Sequence, residues 1–152
     1  MPKFWIVKPG WGGVLQGLLM PLPASVVLTL LLGWIATPAP APFTRWQDAV
    51  SSAVFFAPVW ETMLLWVGVT WLHERWGMTW RTALVGALPL ILLHFTNSWQ
   101  NVVGTVPFFT WSAWYLMQRR SAADADAMIY LRLMLMHAIW NIIVIALWQM
   151  NG

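Results

Sequence analysis

Residues 127–149 read AMIYLRLMLMHAIWNIIVIALWQ, and Arg132 is the only charged residue in this run. A helix of about 20 mainly apolar residues is long enough to cross the hydrocarbon core of a bilayer. Because this template fits the sequence about five times, it predicts an all-α protein, a polytopic transmembrane helical bundle forming one integral membrane domain over residues 1–152. The predicted spans are about 12–36, 49–72, 82–99, 102–117 and 127–149.

The composition of the whole chain also indicates a membrane protein. Its 152 residues are 60% hydrophobic and 9% charged, with a mean hydropathy of +0.66. An ordinary soluble domain has about 25% charged residues, and disordered chains, coiled coils and disulfide scaffolds need more charge or more cysteine. The chain has no cysteine, which excludes thiol nucleophiles, thiolate metal ligands and disulfides.

The loops and the basic residues predict how the spans are oriented. Alternating prolines at 37–42 remove backbone donors, so we expect a loop between the first two spans. The short segment 102–117 leaves a re-entrant hairpin open as an alternative to a full crossing. An excess of Lys and Arg on one side predicts a cytoplasmic amino terminus and suits a bacterial inner membrane. The residues on that side are Lys3, Lys8, Arg75, Arg81, Arg119 and Arg120, against Arg45 on the other.

Several strongly polar side chains lie inside the predicted spans. An ionisable group in the bilayer interior costs at least a few kcal/mol, so each one is a hypothesis for a functional site. A rise of about 1.5 Å per residue places Glu61, His94, His137 and Asn141 in one layer, roughly 15 to 21 Å from the inner boundary. His137 and Asn141, spaced i and i+4, share one helix face. Arg132 points away from that face and is expected to reach the cytoplasmic interface.

These residue types favour activation of a water molecule. A carboxylate and two imidazoles, with no Ser or Cys partner, can act through the carboxylate as general base or through a bound metal. Glu61, His94 and His137 match the ligand types of a catalytic zinc site, although the chain has no His-Glu-x-x-His helix. Pro58 and Pro89 precede Glu61 and His94 on their helices, and a proline bends a helix. The residue types alone leave both mechanisms open.

Three short motifs resemble those of the CPBP intramembrane protease family, which is named for CAAX prenyl proteases and bacteriocin-processing proteins. Residues 57–66, APVWETMLLW, lie on the frame of its Glu-Glu-x-x-x-Arg motif, with the leading Glu kept as Glu61. Residues 90–94, LILLH, resemble its Phe-x-x-x-His motif, and residues 137–141, HAIWN, match its His-x-x-x-Asn motif in full. The resemblance covers about residues 50–145 and keeps the motifs in the family order.

The resemblance implies a glutamate-type intramembrane endopeptidase. Glu61 would activate water, His94 would position it, and His137 with Asn141 would stabilise the oxyanion. The partners would be the lipid bilayer and a membrane-anchored or membrane-associated protein substrate, such as a sorting tag or a precursor peptide. No cofactor is implied, with zinc as the alternative, and singly scattered basic residues do not predict binding to nucleic acid.

Three positions depart from the family motifs. Thr62 stands where the first motif has its second Glu, Trp66 where it has Arg, and Leu90 where the second motif has Phe. Arg132 is a candidate to take over the role of the missing Arg. The departures leave open a catalytically inactive membrane partner or immunity protein, while a proton-coupled transporter is disfavoured because no inverted repeat is evident. We favour activity, because a dead enzyme has no physical need to keep so many polar groups in the bilayer.

Overall fold

A computed structural model describes residues 11–33, 46–94, 99–120 and 126–151 of the chain. Every regular element in these residues is helical, so the predicted all-α class is confirmed for them. A π-helical segment, Val50–Phe56, joins the third helix to the fourth, and we call it the π segment. The α-helices are α1 Trp11–Leu19, α2 Leu22–Gly33, α3 Trp46–Ala49, α4 Ala57–Trp76, α5 Trp80–His94, α6 Trp99–Arg120 and α7 Asp126–Asn151.

Three stretches of these helices are long and apolar enough to cross a membrane. They are Trp11–Leu31, Val50–Trp76 and Asp126–Ala146, and Trp80–His94 is a shorter apolar helix. Large apolar side chains are exposed along the outer faces, among them Leu30 and Phe55 at 62% and 64%. Such a surface is rare on a soluble monomer and matches hydrocarbon. The predicted loop at 37–42 lies outside the described residues, as do Lys3, Lys8 and Arg45.

The first predicted span is not one helix. The structure divides it into α1 and α2 at Met20 and Pro21. In a continuous helix the carbonyl of Gly17 would accept the N–H of residue 21, and proline has none. The indole Nε1 of Trp111 on α6 donates to this carbonyl instead, at 3.1 Å. The span predicted over 12–36 therefore has a counterpart in the membrane-length stretch Trp11–Leu31, but its helix is interrupted at Pro21, where a side chain of α6 satisfies the freed carbonyl.

A tight turn places α4 and α5 side by side. Gly77 ends α4 with φ at +68°, a left-handed conformation that glycine adopts readily, and its N–H donates to the carbonyl of His73 at 2.8 Å. Thr79 then caps α5, because its Oγ1 accepts the N–H of Thr82 at 3.1 Å. A short turn thus separates the end of α4 at Trp76 from the start of α5 at Trp80.

Helix α6 contributes the most deeply buried aromatic residues of the described core. Trp111, Trp114 and Tyr115 are 0–1% exposed, and Trp114 donates to the carbonyl of Gly13 at 2.8 Å. The helix has 22 residues, longer than the predicted segment 102–117. Its core neighbours include Leu65, Val69, Ala87, Leu90, Leu133 and Met136.

Close contact between α4 and α5 depends on Gly86. A Cβ at this position would meet Cγ2 of Val69 and lie 3.3 Å from the Cα of Val69, whereas a Cβ at Gly104 on α6 would meet nothing within 4 Å. Both Gly→Ala changes gain about 1 kcal/mol in helix propensity. We expect Gly86→Ala to lose about 1 to 3 kcal/mol through overpacking, and Gly104→Ala to be neutral or stabilising.

Denaturant titration of both glycine variants in detergent checks this prediction. Equal stabilities for Gly86→Ala and Gly104→Ala would show that α4 and α5 can separate without penalty.

Candidate active site

Three of the predicted polar residues meet at one carboxylate. Glu61 on α4 lies between His94 at the end of α5 and His137 in the middle of α7. The Nε2 of His94 is 3.5 Å from Oε1 of Glu61, and the Nε2 of His137 is 3.3 Å from Oε2. Each imidazole therefore faces a different oxygen of the same carboxylate, and the predicted polar layer is a direct contact between three helices.

The backbone of α5 fixes the orientation of His94. Its Nδ1 lies 2.9 Å from the carbonyl oxygen of Leu90, one turn earlier. Because a carbonyl only accepts, Nδ1 carries the proton and donates. In the neutral imidazole, Nε2 then presents a lone pair towards Glu61.

His137 is enclosed on the side opposite Glu61. Its Nδ1 lies 3.3 Å from Oγ1 of Thr62, the residue after Glu61 on α4. Thr62 and His137 are 1% and 3% exposed. The departure from the family motif at Thr62 thus places a hydroxyl in the site, in hydrogen-bond contact with one of its two histidines.

Aromatic rings from α6 form one wall of the site. The ring of Phe108 lies 5.1 Å from that of His94 and 5.5 Å from that of His137, and the ring of Trp111 lies 5.2 Å from that of His137. Phe108 and Trp111 are 3% and 1% exposed. Sequence reasoning missed both residues. The available signal was their i, i+3 spacing, which puts two large rings on one face of α6.

Among the described residues, the site is exposed at Glu61 and His94 and closed at His137. The side chains of His94 and Glu61 are 36% and 20% exposed, whereas that of His137 is 4% exposed. A molecule that approaches the carboxylate from outside therefore meets Glu61 and His94 first. His137 supports the carboxylate from the interior of the bundle.

Asn141 is close in sequence to His137 but holds a different part of the structure. Its Nδ2 donates to the carbonyl oxygen of Ala53 in the π segment at 2.6 Å. In a π-helix that carbonyl would accept the N–H of the fifth residue along, which here is Pro58, and proline has no N–H. The amide of Asn141 thus satisfies a carbonyl that the proline leaves free, and it fastens the π segment to α7.

This contact gives a prediction that separates two roles of Asn141. In Asn141→Leu, which has similar size and no amide, the Ala53 carbonyl loses its donor, and we expect the free energy of unfolding to fall by about 1 to 3 kcal/mol. Thermal unfolding in detergent measures the loss. Unchanged stability with lost activity would instead indicate that Asn141 acts only on the substrate.

The remaining predicted residues lie around this centre. The ring of Trp66 packs against that of Tyr130 on α7, 5.7 Å between centroids, and the hydroxyl of Tyr130 donates to the carbonyl of Val59 at 3.1 Å. Arg132 is 6% exposed, so its side chain is buried by protein. The expectation that Arg132 reaches the aqueous interface is wrong, because almost none of the residue is exposed.

The zinc alternative stays a prediction that the arrangement of donors does not test. Among the described residues, no group of three His, Asp or Glu side chains is placed to hold a metal ion. The two imidazoles contact opposite oxygens of Glu61, so that the carboxylate lies between them. No reaction step through a metal is derived from this geometry.

No family model, no curated protein and no solved structure matches the chain.

Proposed function

We propose that this chain is a glutamate-type intramembrane endopeptidase, a divergent and small member of the CPBP family. The observation that carries the proposal is the Glu61 carboxylate, held between two imidazoles from separate helices and open on one side. Activation of water by a positioned base requires this combination of a proton acceptor, an orienting neighbour and limited access.

The open side has the right donors and acceptors for a hydrolytic water molecule. Oxygen Oε1 of Glu61 and the lone pair of Nε2 of His94 are both acceptors, and they lie 3.5 Å apart. A water molecule that donates one proton to each atom is held with its oxygen lone pairs facing outwards, towards the carbonyl carbon of a peptide. His94 thereby positions the water and Glu61 activates it.

Hydrolysis then proceeds with balanced proton transfers. Glu61 takes a proton from water, and the hydroxide forms a bond to the scissile carbonyl carbon. The tetrahedral intermediate loses the amine as the C–N bond breaks, and Glu61 returns the proton to the leaving nitrogen. The products are a new carboxyl terminus and a new amino terminus.

The oxyanion role belongs to His137 and Asn141 in this proposal. Their N–H groups are engaged with Glu61 and with Ala53 in the present arrangement. Substrate must therefore take over these donors as the intermediate forms. A hydrogen-bond donor that points at the developing oxyanion contributes about 3 to 4 kcal/mol to transition-state stabilisation.

The basic residues of the described helices support the proposed arrangement in the membrane. We propose five spans with the amino terminus in the cytoplasm of a bacterium, embedded in its inner membrane. Arg75 and Arg81 flank the turn between α4 and α5, and Arg119 near the end of α6 pairs with Asp126 at the start of α7 at 3.6 Å. These charges lie at one end of the bundle, as the positive-inside rule requires. The substrate is a membrane-anchored or membrane-associated sorting tag or precursor peptide.

Co-expression with a panel of tagged membrane precursors tests the proposed function. Wild type, Glu61→Gln and His137→Ala are compared, and cleaved products are sought by mass spectrometry. We expect cleavage by the wild type alone, with all three proteins folded and inserted. Cleavage that persists in Glu61→Gln would contradict the glutamate mechanism and favour the non-catalytic membrane partner. Cleavage that is lost on chelation and recovered on added zinc would instead indicate a metal-dependent mechanism.

A further inference from the structure

We propose that Thr62 is a positioning residue, which keeps the proton of His137 on Nε2 and so makes this histidine a hydrogen-bond donor at the reaction centre. The inference rests on the proposed function for its catalytic consequence, but the protonation pattern itself can be measured in the protein at rest. The basis is the chain of contacts from Thr62 Oγ1 to His137 Nδ1 and from His137 Nε2 to Glu61 Oε2.

The direction of the two hydrogen bonds follows from which atoms can donate. An ionised carboxylate only accepts, so the 3.3 Å contact between Oε2 of Glu61 and Nε2 of His137 is favourable when Nε2 carries the proton. The neutral imidazole then has a lone pair on Nδ1, and the hydroxyl of Thr62 can donate to it at 3.3 Å. The reverse arrangement would bring two acceptors together on the buried side of Glu61, where water has little access to bridge them as it can beside the exposed His94.

Because His137 is buried, its Nδ1 depends on the hydroxyl of Thr62 for a hydrogen bond. Thr62 and His137 are 1% and 3% exposed, and the rings of Phe108 and Trp111 cover the imidazole of His137. Water therefore has little access to Nδ1, and a buried acceptor without a donor is unfavourable. Without Thr62, the imidazole has less reason to keep its present tautomer and orientation.

The two histidines consequently have opposite tautomers. His94 carries its proton on Nδ1, because that atom donates to the carbonyl of Leu90, and His137 carries its proton on Nε2. One oxygen of Glu61 thus receives a hydrogen bond from His137, while the other is left to accept a proton from water beside His94. The two oxygens of this single carboxylate therefore have different roles.

Nitrogen NMR of histidine-labelled protein in detergent micelles tests the protonation pattern directly. The chain has three histidines, and His73→Gln and His94→Gln assign the signals. We expect the Nδ1 signal of His137 to be that of an unprotonated, hydrogen-bonded nitrogen in the wild type. In Thr62→Val it should move towards the position of a protonated nitrogen, as the tautomer with the proton on Nδ1 becomes populated, and in Thr62→Ser it should stay near the wild-type position.

Cleavage kinetics test the consequence for catalysis. We expect Thr62→Val to lower kcat by about 10-fold with little change in KM, the size of effect that the loss of one hydrogen bond to the working histidine produces. Thr62→Ser should recover most of the rate. Thr70→Val is the matched control, because Thr70 lies two turns later on the same helix and its hydroxyl bonds instead to Tyr115 Oη, at 2.8 Å; its rate should equal that of the wild type.

The outcomes separate this inference from the proposed function. A wild-type His137 with its proton on Nδ1, or an Nδ1 signal that does not respond to Thr62→Val, would overturn the inference whatever the enzyme activity. Full cleavage by Thr62→Val alongside loss in Glu61→Gln would overturn the catalytic role of Thr62 while the protease stands. If the chain shows the expected NMR pattern but cleaves no substrate, the inferred hydrogen bonds of His137 would be supported and the proposed protease function would be contradicted.

Discussion

Replacing Glu61 with glutamine is expected to lower the rate of peptide cleavage by about 10²- to 10⁴-fold, the contribution of a positioned general base. Glutamine has nearly the same shape, and its carbonyl oxygen can still accept a hydrogen bond from Nε2 of His137. The amide cannot take a proton from water. The change therefore removes the proposed chemistry while it keeps the packing of α4 against α5 and α7.

The chain provides a matched control for this change. Its other glutamate, Glu74, lies exposed near the end of the same helix. Glu74→Gln makes the same chemical change far along α4, and we expect it to cleave at the wild-type rate. Rates are measured on a precursor from the co-expression panel, with purified proteins in liposomes. Equal rates for Glu61→Gln and Glu74→Gln would remove Glu61 from the mechanism.

Replacing His94 with glutamine is expected to lower kcat by about 10²-fold, because a misplacement of about 1 Å in the attacking water has an effect of this size. The imidazole is held by its Nδ1 contact to Leu90 and presents a lone pair beside Glu61. Glutamine can fill the space but does not present the same acceptor in the same place. Because His94 lies at the open edge of the site, the variant should fold normally.

His73→Gln is the matched control for this second prediction, since His73 lies on α4 near the turn at Gly77. We expect His73→Gln to behave as the wild type. The double variant Glu61→Gln with His94→Gln should be scarcely slower than Glu61→Gln alone, since residues that act on one water molecule are not additive. Multiplicative losses would indicate that the two residues serve separate steps.

The sequence predicted the helices because hydrophobic length is a strong signal, but it did not predict how they break. An apolar run of 12–36 looks continuous by composition, although Pro21 within it lacks the N–H that a continuous helix needs. The donor that replaces this N–H at the Gly17 carbonyl is Trp111, 94 residues further along the chain. The π segment before Pro58 was also not predicted, since its free carbonyl is satisfied by Asn141 on a distant helix. Such contacts depend on tertiary packing, which a local pattern does not contain.

The site was predicted more fully than the helix breaks. An ionisable group in an apolar helix is costly to bury, so each one stands out in the sequence as a candidate site residue. The depth argument grouped Glu61, His94 and His137, and the structure brings these three together. It also grouped Asn141, whose amide instead holds the carbonyl of Ala53. The sequence showed Thr62 only as a departure from a motif. Its contact with His137 could not be predicted, because the distance between them depends on how α4 packs against α7.

The most direct test of the account is a single-turnover cleavage in water enriched in heavy oxygen. Purified wild type in liposomes is mixed in excess with a cleavable precursor, and the new carboxyl terminus is analysed by mass spectrometry. If Glu61 acts as a base on water, the heavy oxygen appears in the product in the first turnover, and Glu61→Gln yields no product. Product without the label, with heavy oxygen in Glu61 itself, would show a covalent intermediate and contradict the role proposed for this carboxylate.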